Sequence, residues 1–149
     1  MPFIGQGETR MKIRKINPNA PTPVYATPGS ACFDLTSVYE TTIEQGDSAA
    51  ICTGLSFEIP DGFVMLIFSR SGHGFEHGIR LANSVGIIDS DYRGEVKIKL
   101  HNDSIFDFIV HAGTRIAQAM VIPVVQQTFE VVDKITTTYR GDKGFGSTG

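Results

Sequence analysis

The stretch Asn83-Ser84-Val85-Gly86-Ile87-Ile88-Asp89-Ser90-Asp91-Tyr92-Arg93-Gly94-Glu95 is the part of this sequence around which the rest is organised. Two short apolar runs flank a turn, residues 89–95, which we call the acidic turn. Glycines on both sides let the backbone take positive φ or approach another group closely. A hairpin turn does not require the two carboxylates, the phenol and the guanidinium that residues 89–93 place together. The cluster is typical of a site where a carboxylate meets a water or polar ligand, and a solvated turn is the alternative.

The remaining sequence predicts strands on both sides of this turn. Residues Phe63–Phe68 are continuously apolar, which predicts a strand buried on both faces. Residues 95–100 alternate, with Val96, Ile98 and Leu100 directed inward. Similar patterns, punctuated by proline and glycine, predict further strands at residues 11–16, 31–35, 41–43, 49–53, 56–59, 106–110, 115–125 and 128–132.

The strand series predicts an all-β barrel or sandwich. No window has a sustained helical period, and only residues 72–78 leave room for a helical turn or two between glycines. A chain of 149 residues is most simply one domain. We expect a loose N-terminal extension at residues 1–10, the β domain at residues 11–135 and a flexible C-terminal arm at residues 136–149.

Composition narrows the class of partner. The formal charge of −3 argues against non-specific nucleic-acid binding, and the basic residues 10–15 alternate like the wet face of a strand. No apolar run approaches the roughly 20 residues that span a bilayer. We therefore expect no nucleic-acid or membrane partner and a cytoplasmic location, since the N-terminus has no signal-peptide pattern. Cys32 and Cys52 are interpreted as reduced, small core residues.

Polar residues interrupt the apolar strands at three further places. Arg70-Ser71-Gly72 follows a buried strand directly, where a guanidinium, a hydroxyl and open amides suit phosphate oxygens. Asp34 lies between Phe33 and Leu35 and so needs a partner, a turn donor or a metal-bound water. Gln118 is a similar break in an apolar strand. A surface turn is the alternative for the first of these.

Two histidines and the C-terminal arm are the remaining candidates. His73 and His77 could ligate a metal if helical, but they have no clear third ligand. In the arm, glycine-freed amides, two hydroxyls and Arg140 suit a flexible phosphate clamp. Phe145 can stack on a base. A disordered tail is the alternative.

Together these segments resemble the trimeric deoxyuridine triphosphate nucleotidohydrolases, the dUTPases. All five motifs of that family occur in order, and the resemblance covers residues 11–149. They are Ala31-Cys32-Phe33-Asp34-Leu35, Arg70-Ser71-Gly72, Gly86-Ile87-Ile88-Asp89-Ser90-Asp91-Tyr92-Arg93-Gly94, Gly113-Thr114-Arg115-Ile116-Ala117-Gln118 and Gly144-Phe145-Gly146-Ser147-Thr148-Gly149.

The resemblance implies a dUTPase-like β-clip, a distorted jelly-roll barrel with one short helix, assembled as a homotrimer with shared active sites. The implied reaction is hydrolysis of dUTP to dUMP and pyrophosphate, which keeps uracil out of DNA and supplies dUMP for dTMP synthesis. Asp89 would be the base that activates water for attack on the α-phosphorus. Mg²⁺ would bind the triphosphate, with Asp34 holding one of its waters.

The resemblance also distributes substrate contacts. The uracil and deoxyribose would be bound by Asn83, Gly86, Ile88, Tyr92, Lys97 and Phe145. In this scheme the ring of Tyr92 packs on the deoxyribose and excludes a 2′-hydroxyl. The phosphates would be bound by Arg70, Ser71, Gly72, Gln118, Arg140, Gly146, Ser147 and Thr148.

Three departures from the family pattern stand out, and two other functions stay open. Cys32 replaces a usual glycine, Lys143 replaces a common arm glycine, and residues 73–77 differ from the usual alanine- and lysine-rich helix. One alternative is a deaminase on the same fold that takes dCTP to dUTP or onward to dUMP. It needs a catalytic glutamate in its own motif and lacks this arm pattern. The other is a regulatory protein that controls a partner through dUTP binding.

Overall fold

The computed structural model describes residues 10–146, which form eleven strands and one helix. The elements before the acidic turn are β1 (Lys12–Lys15), β2 (Phe33–Thr36), β3 (Thr41–Ile43), β4 (Ser48–Cys52), β5 (Leu55–Glu58), β6 (Phe63–Phe68), α1 (Ser71–His77), β7 (Ile79–Leu81) and β8 (Gly86–Ile88). Those after it are β9 (Lys97–Asn102), β10 (Phe108–Val110) and β11 (Arg115–Pro123). The predicted all-β class with one short helix is confirmed.

The strands form antiparallel sheets, of which the largest has the order β2-β11-β6-β8. A three-stranded sheet has the order β4-β9-β7, and the pairs β1-β5 and β10-β3 complete the set. Across the large sheet, Gln118 lies opposite Asp34 on one side and Phe68 on the other. Polar residues from two predicted motifs are therefore neighbours in one sheet.

The core is made by the inward faces of these strands. Val96, Ile98 and Leu100 are buried while Lys97 and Lys99 are exposed, so the predicted alternation is confirmed. These side chains belong to one apolar cluster with residues from most of the other strands, among them Leu35, Phe57, Met65 and Ile116. Their removal from water is the main favourable contribution to folding.

Helix α1 lies where residues 72–78 predicted it. It ends at Gly78, whose φ of 66° is the left-handed conformation that glycine adopts without steric cost. No residue of the helix is fully buried. The rings of His73 and His77 pack against Phe108 with centroid distances of 5.6 and 5.3 Å, which holds the helix on the barrel.

The prediction that Phe63–Phe68 is buried on both faces is wrong. Within this single chain only Met65 and Ile67 are buried, and the alternate residues are partly exposed. The apolar run still indicates a strand that can be covered on both sides. Residues 10–146 of this copy leave the second face partly exposed.

Two smaller predictions also fail. Residues 128–132 form no strand in the structure, and Phe129 and Val131 are exposed to 95% and 100%. Their β-prone composition has no strand partner in the described chain. Cys32 and Cys52 are free thiols but only partly buried, so neither is a true core residue.

Candidate active site

The acidic turn closes one side of an open pocket of about 460 Å³. The pocket is lined by Ile87, Ile88, Asp89, Tyr92, Glu95, Val96 and Lys97. A smaller adjoining pocket of about 140 Å³ is lined by Asn83, Gly86 and Lys99 together with residues of the first pocket and the core. The structure thus brings together the base candidate Asp89 and most of the predicted uracil and sugar contacts.

The position of β8 explains why this pocket exists. β8 is the last strand of its sheet, while Lys97 begins β9 in a different sheet, so the two strands are not paired with each other. The outer backbone edge of β8 has no strand partner within residues 10–146. A free strand edge presents N–H and C=O groups in alternation, which suits a flat ring with its own donor and acceptors.

The acidic turn has a defined internal geometry. The Tyr92 N–H donates to the Asp89 carbonyl at 3.2 Å, and the Tyr92 hydroxyl donates to the Glu95 carbonyl at 3.0 Å. Arg93 donates to the carbonyls of Ser90 and Tyr92. Its guanidinium thus stabilises the turn and forms no ion pair with Asp89 in the part of the chain described here. The exposed Asp89 carboxylate is available to a water or a substrate.

A second group of polar residues, which we call the arginine cluster, lies around Asp34. Arg70 Nε donates to Asp34 Oδ1 at 3.0 Å, and Arg115 Nη1 lies 3.5 Å from Asp34 Oδ2. Gln118 Nε2 donates to the Ser69 carbonyl at 2.9 Å beside them. Ser71 and Gly72 are exposed at the start of α1 next to Arg70. Two guanidiniums balanced by one carboxylate suit a polyphosphate ligand.

The arginine cluster changes the interpretation of two predicted residues. Asp34 has its required partners in Arg70 and Arg115. Cys32, two residues away, has its thiol pKa raised by burial and by the charge of Asp34. That thiol is therefore protonated at neutral pH and is no nucleophile.

The described residues contain no group of three or more His, Cys, Asp or Glu side chains that could hold a metal ion. His73 and His77 pack on Phe108 instead of forming such a group. One carboxylate, Asp34, beside two arginines fits Mg²⁺ carried by the phosphates of a ligand, because Mg²⁺ retains several waters and needs few protein ligands.

The described residues of the C-terminal arm form no hydrogen bond with either group. Phe145 is fully exposed, and Arg140 Nε donates to the Lys143 carbonyl within the arm itself. Gly146 takes a φ of 87°. Ser147 and Thr148 lie outside the described residues. The predicted phosphate contacts of the arm are therefore not formed within one chain by its described residues.

The two polar groups lie toward opposite ends of β6. Ile88, next to Asp89, pairs with Met65 near the start of β6, while Arg70 comes two residues after Phe68, the last residue of β6. A strand rises about 3.3 Å per residue, so these positions are separated by roughly 16 Å. The residues predicted to form one site therefore lie in two separate groups within a single chain.

Two residues of these groups were not predicted individually as site residues. Arg115 lies in the fourth motif but was not assigned, and its ion pair with Asp34 crosses the sheet. Glu95 ends the quoted stretch, and its carboxylate accepts a hydrogen bond from the Gly54 N–H at 2.9 Å. The conspicuous signal for each was a charged residue beside a buried strand position.

Comparison with known proteins identifies the family. The dUTPase family model matches residues 18–149. The deoxyuridine 5'-triphosphate nucleotidohydrolase of Nautilia profundicola is 46% identical over 140 residues, covering 94% of this chain and 99% of that protein. The corresponding protein of Helicobacter hepaticus is 45% identical over 139 residues, covering 93% of this chain and 88% of that protein.

Solved structures agree on the fold. The dUTPase of Staphylococcus bacteriophage 80alpha with dUpNHpp has a TM-score of 0.88 at 25% identity, covering 94% of this chain and 98% of that chain. A variant dUTPase from phage phi11 of S. aureus, in which a structural Mg(II) ion is coordinated, has a TM-score of 0.81 at 21% identity, covering 87% and 100%.

No helix in the described residues is long and apolar enough to cross a membrane. The cytoplasmic location stays a prediction. The length and identity of the family matches leave no doubt about ancestry, and the five motifs fall on the two polar groups and the arm. The chain belongs to the dUTPase family.

Proposed function

We propose that this protein hydrolyses dUTP to dUMP and pyrophosphate by attack of water on the α-phosphorus. The observation that carries the proposal is the pocket between β8 and β9, which ends at the unpaired Asp89 carboxylate and is walled by Tyr92. Family membership at 45–46% identity over nearly the whole chain supports the same reaction.

Asp89 is the general base in this proposal. Its carboxylate is exposed at the mouth of the pocket, while the neighbouring guanidinium of Arg93 is engaged by backbone carbonyls. A carboxylate left free in this way can accept a proton from a water positioned on the α-phosphorus. A positioned general base contributes typically about 10²–10⁴ in rate.

The pocket supplies specificity for the nucleoside. The free edge of β8 from Gly86 to Ile88 would bond the uracil edge, with Asn83 and Lys97 at the ends of the slot. A Cβ at Gly86 would lie 3.0 Å from Ile67 Cβ, so the strand is already close-packed from behind. Such a slot does not move back to admit the extra methyl group of thymine.

The arginine cluster supplies the phosphate contacts. Arg70, Ser71, Gly72 and Gln118 would bind α- and β-phosphate oxygens, and preorganised donors of this kind stabilise the charge that develops in phosphoryl transfer. Bound Mg²⁺ would neutralise phosphate charge and orient the triphosphate, with Asp34 holding one of its waters. Arg140, Gly146, Ser147 and Thr148 of the arm would close over the phosphates, and Phe145 would cover the uracil.

A complete site requires more than one copy of the chain. The roughly 16 Å between the end of β8 and Arg70 along β6 is too long for both to act on adjacent phosphates of one nucleotide. Facing copies can combine the pocket of one with the arginine cluster of another. We infer a homotrimer with shared sites, as in the family resemblance.

Exposed apolar residues support this assembly. Phe129, Val131 and Ile135 are at least 85% exposed along the segment after β11. The same chain has an apolar groove of about 300 Å³, lined by Met11, Ile13, Pro23, Tyr25, Phe33, Pro60, Phe63 and Val121. Apolar groups this exposed in water are typical of an interface, and the groove of a neighbouring copy offers a matching surface.

The proposal is tested by measuring pyrophosphate and ammonia release from dUTP, dCTP, dTTP and UTP with Mg²⁺. We expect pyrophosphate from dUTP alone. Asp89→Asn should lower kcat by about 10²-fold or more with little change in dUTP affinity. The asparagine side chain occupies the same space as the carboxylate but cannot accept a proton from water. Asp91→Asn, the same change in the same turn, is the matched control and should retain turnover.

The other outcomes identify the alternatives. Turnover retained by Asp89→Asn removes Asp89 as the base. Ammonia from dCTP would assign the deaminase reaction. Binding of dUTP without any turnover would favour a regulatory protein that senses dUTP.

A further inference from the structure

The acidic turn is attached to a part of the molecule that none of the family motifs covers. This part is the segment of residues 48–58, in which β4 of one sheet is followed by β5 of another, and we call it the β4–β5 segment. The Thr53 hydroxyl donates to the Val96 carbonyl at 2.6 Å, and the Ser56 hydroxyl donates to the Arg93 carbonyl at 2.7 Å. Both hydroxyls are at most 4% exposed as residues, so water does not compete for these bonds.

Glu95 makes the third attachment, and within residues 10–146 it is the only one of Thr53, Ser56 and Glu95 that is also hydrogen-bonded to Tyr92. Its carboxylate accepts from the Gly54 N–H at 2.9 Å. Burial, followed by the charge of Glu95, raises the pKa of the Cys52 thiol, so that thiol stays protonated at neutral pH. The carbonyl of Glu95 accepts from the Tyr92 hydroxyl at 3.0 Å.

Gly54, which lies between β4 and β5 and donates to Glu95, is itself fixed. Gly54 has a φ of 68°, and a Cβ there would lie 2.8 Å from Asn17 Cβ and 3.0 Å from Ala20 Cβ. Its carbonyl accepts from the N–H groups of Ile16 and Asn17 at 2.8 and 3.2 Å. Gly54 therefore has little freedom to follow a moving loop.

The Tyr92 ring has equally little room on its other side. It lies over Gly94, where a Cβ would come within 2.4 Å of the hydroxyl and 2.6 Å of Cζ. The ring is thus defined by contact with Gly94 and by the bond to the Glu95 carbonyl. A shift of Glu95 would carry the hydroxyl of Tyr92 with it.

We propose that Glu95 is a positioning residue for sugar discrimination, which connects the Tyr92 wall of the pocket to the fixed Gly54 between β4 and β5. The proposal rests on the function proposed above, in which Tyr92 packs on the deoxyribose. Glu95 holds the ring at the depth that leaves no room for a 2′-hydroxyl. The hydrogen bonds from Ser56 and Thr53 fix the backbone carbonyls on either side of Glu95.

The test compares Glu95→Ala, Glu95→Gln and the control Glu44→Ala, an exposed glutamate before β4. We measure the ratio of kcat/KM for dUTP over UTP, the ratio of dUMP over UMP affinity, and hydrogen exchange at the Gly54 amide. Glu95→Ala should lower both ratios about tenfold and speed Gly54 exchange, because a bond to a charged acceptor is lost. Glu95→Gln keeps an acceptor oxygen and should stay within about twofold of the unchanged protein, as should Glu44→Ala.

The proposal is overturned if folded Glu95→Ala keeps the discrimination ratios of the unchanged protein. It is also overturned if Glu95→Gln loses as much discrimination as Glu95→Ala. Should Glu95→Ala not fold, Ser56→Ala decides: a lowered ratio supports the attachment, and an unchanged ratio contradicts it. Absence of dUTP turnover in the unchanged protein would contradict the proposed function alone, since the affinity ratio and the exchange rate are measured without turnover.

Discussion

The acidic turn and the C-terminal arm both carry predicted substrate contacts, yet they are built in opposite ways. The turn is bonded to the barrel through buried hydroxyls and the Gly54 amide. In the described part of the arm, the hydrogen bonds join residues of the arm to one another, and Tyr139 and Phe145 are fully exposed. The acidic turn is therefore formed before substrate binds, whereas the described residues of the arm make no hydrogen bond to the barrel.

This difference assigns different tasks to the two regions. A wall that rejects ribose must be in place before binding, because a movable wall would yield to the larger sugar. A cover that excludes water must open to admit substrate and release product, so it cannot be bonded permanently to the body. The turn is therefore suited to selection and the arm to closure.

The largest expected effect comes from removing the closing part of the arm. Deletion of Lys143–Gly149 should leave a folded trimer whose kcat is lower by about 10²-fold, because Phe145 and the terminal hydroxyls no longer cover the nucleotide. Pyrophosphate release and light scattering measure the two properties. Phe145→Ala should give a smaller loss in the same direction, and Phe75→Ala, an equally exposed aromatic on α1, should give none. Normal turnover by the truncated protein would show that the arm is not a lid.

The comparison also shows why the sequence predicts some elements well. Alternation in residues 95–100 identifies the buried and exposed faces of β9, because one face of that strand meets the core of the same chain. Gly78 marks the observed end of α1 (Ser71–His77). These signals depend on neighbours within one copy.

The failures share a physical cause. The second face of β6 and residues 128–132 are apolar and β-prone, yet no surface within residues 10–146 buries them. A periodicity indicates that a face needs cover and not which copy provides it. The bond between Glu95 and Gly54 joins positions 41 residues apart, so no local sequence pattern predicts it. The family motifs include Asp89 and Tyr92 but not residues 48–58, to which the acidic turn is hydrogen-bonded.

A smaller effect tests the selecting region. Tyr92→Ala should lower the dUTP over UTP ratio of kcat/KM about tenfold or more, because the wall against a 2′-hydroxyl is removed. Tyr92→Phe keeps the ring and loses only the bond to the Glu95 carbonyl, so it should give an intermediate ratio. Steady-state kinetics with both nucleotides provides the measurement. If Tyr92→Ala has the same dUTP over UTP ratio as the unchanged protein, Tyr92 does not exclude the 2′-hydroxyl.

The smallest effect concerns helix α1, which resembles neither region. His73 packs on Phe108, and its Nδ1 is buried without a hydrogen-bond partner in the described residues. Burial, and then the charges of Arg70, His77 and Arg115, lower the pKa of His73, while Glu76 opposes them. A histidine with a lowered folded pKa binds its proton more readily when unfolded. Its contribution to stability is therefore complete above the unfolded pKa of about 6.5 and is lost as pH falls below it.

Replacing this histidine should remove that pH dependence without opening the packing. Between about pH 7.5 and about pH 5.5, the Tm of the unchanged protein should fall by about 2–4 °C more than that of His73→Leu. His111→Gln, which changes an exposed histidine, should keep the full fall. An equal fall in His73→Leu would mean that α1 is held independently of the protonation of His73. Arg70, which precedes α1, would then be positioned by its contacts with Asp34 and the Arg115 carbonyl instead.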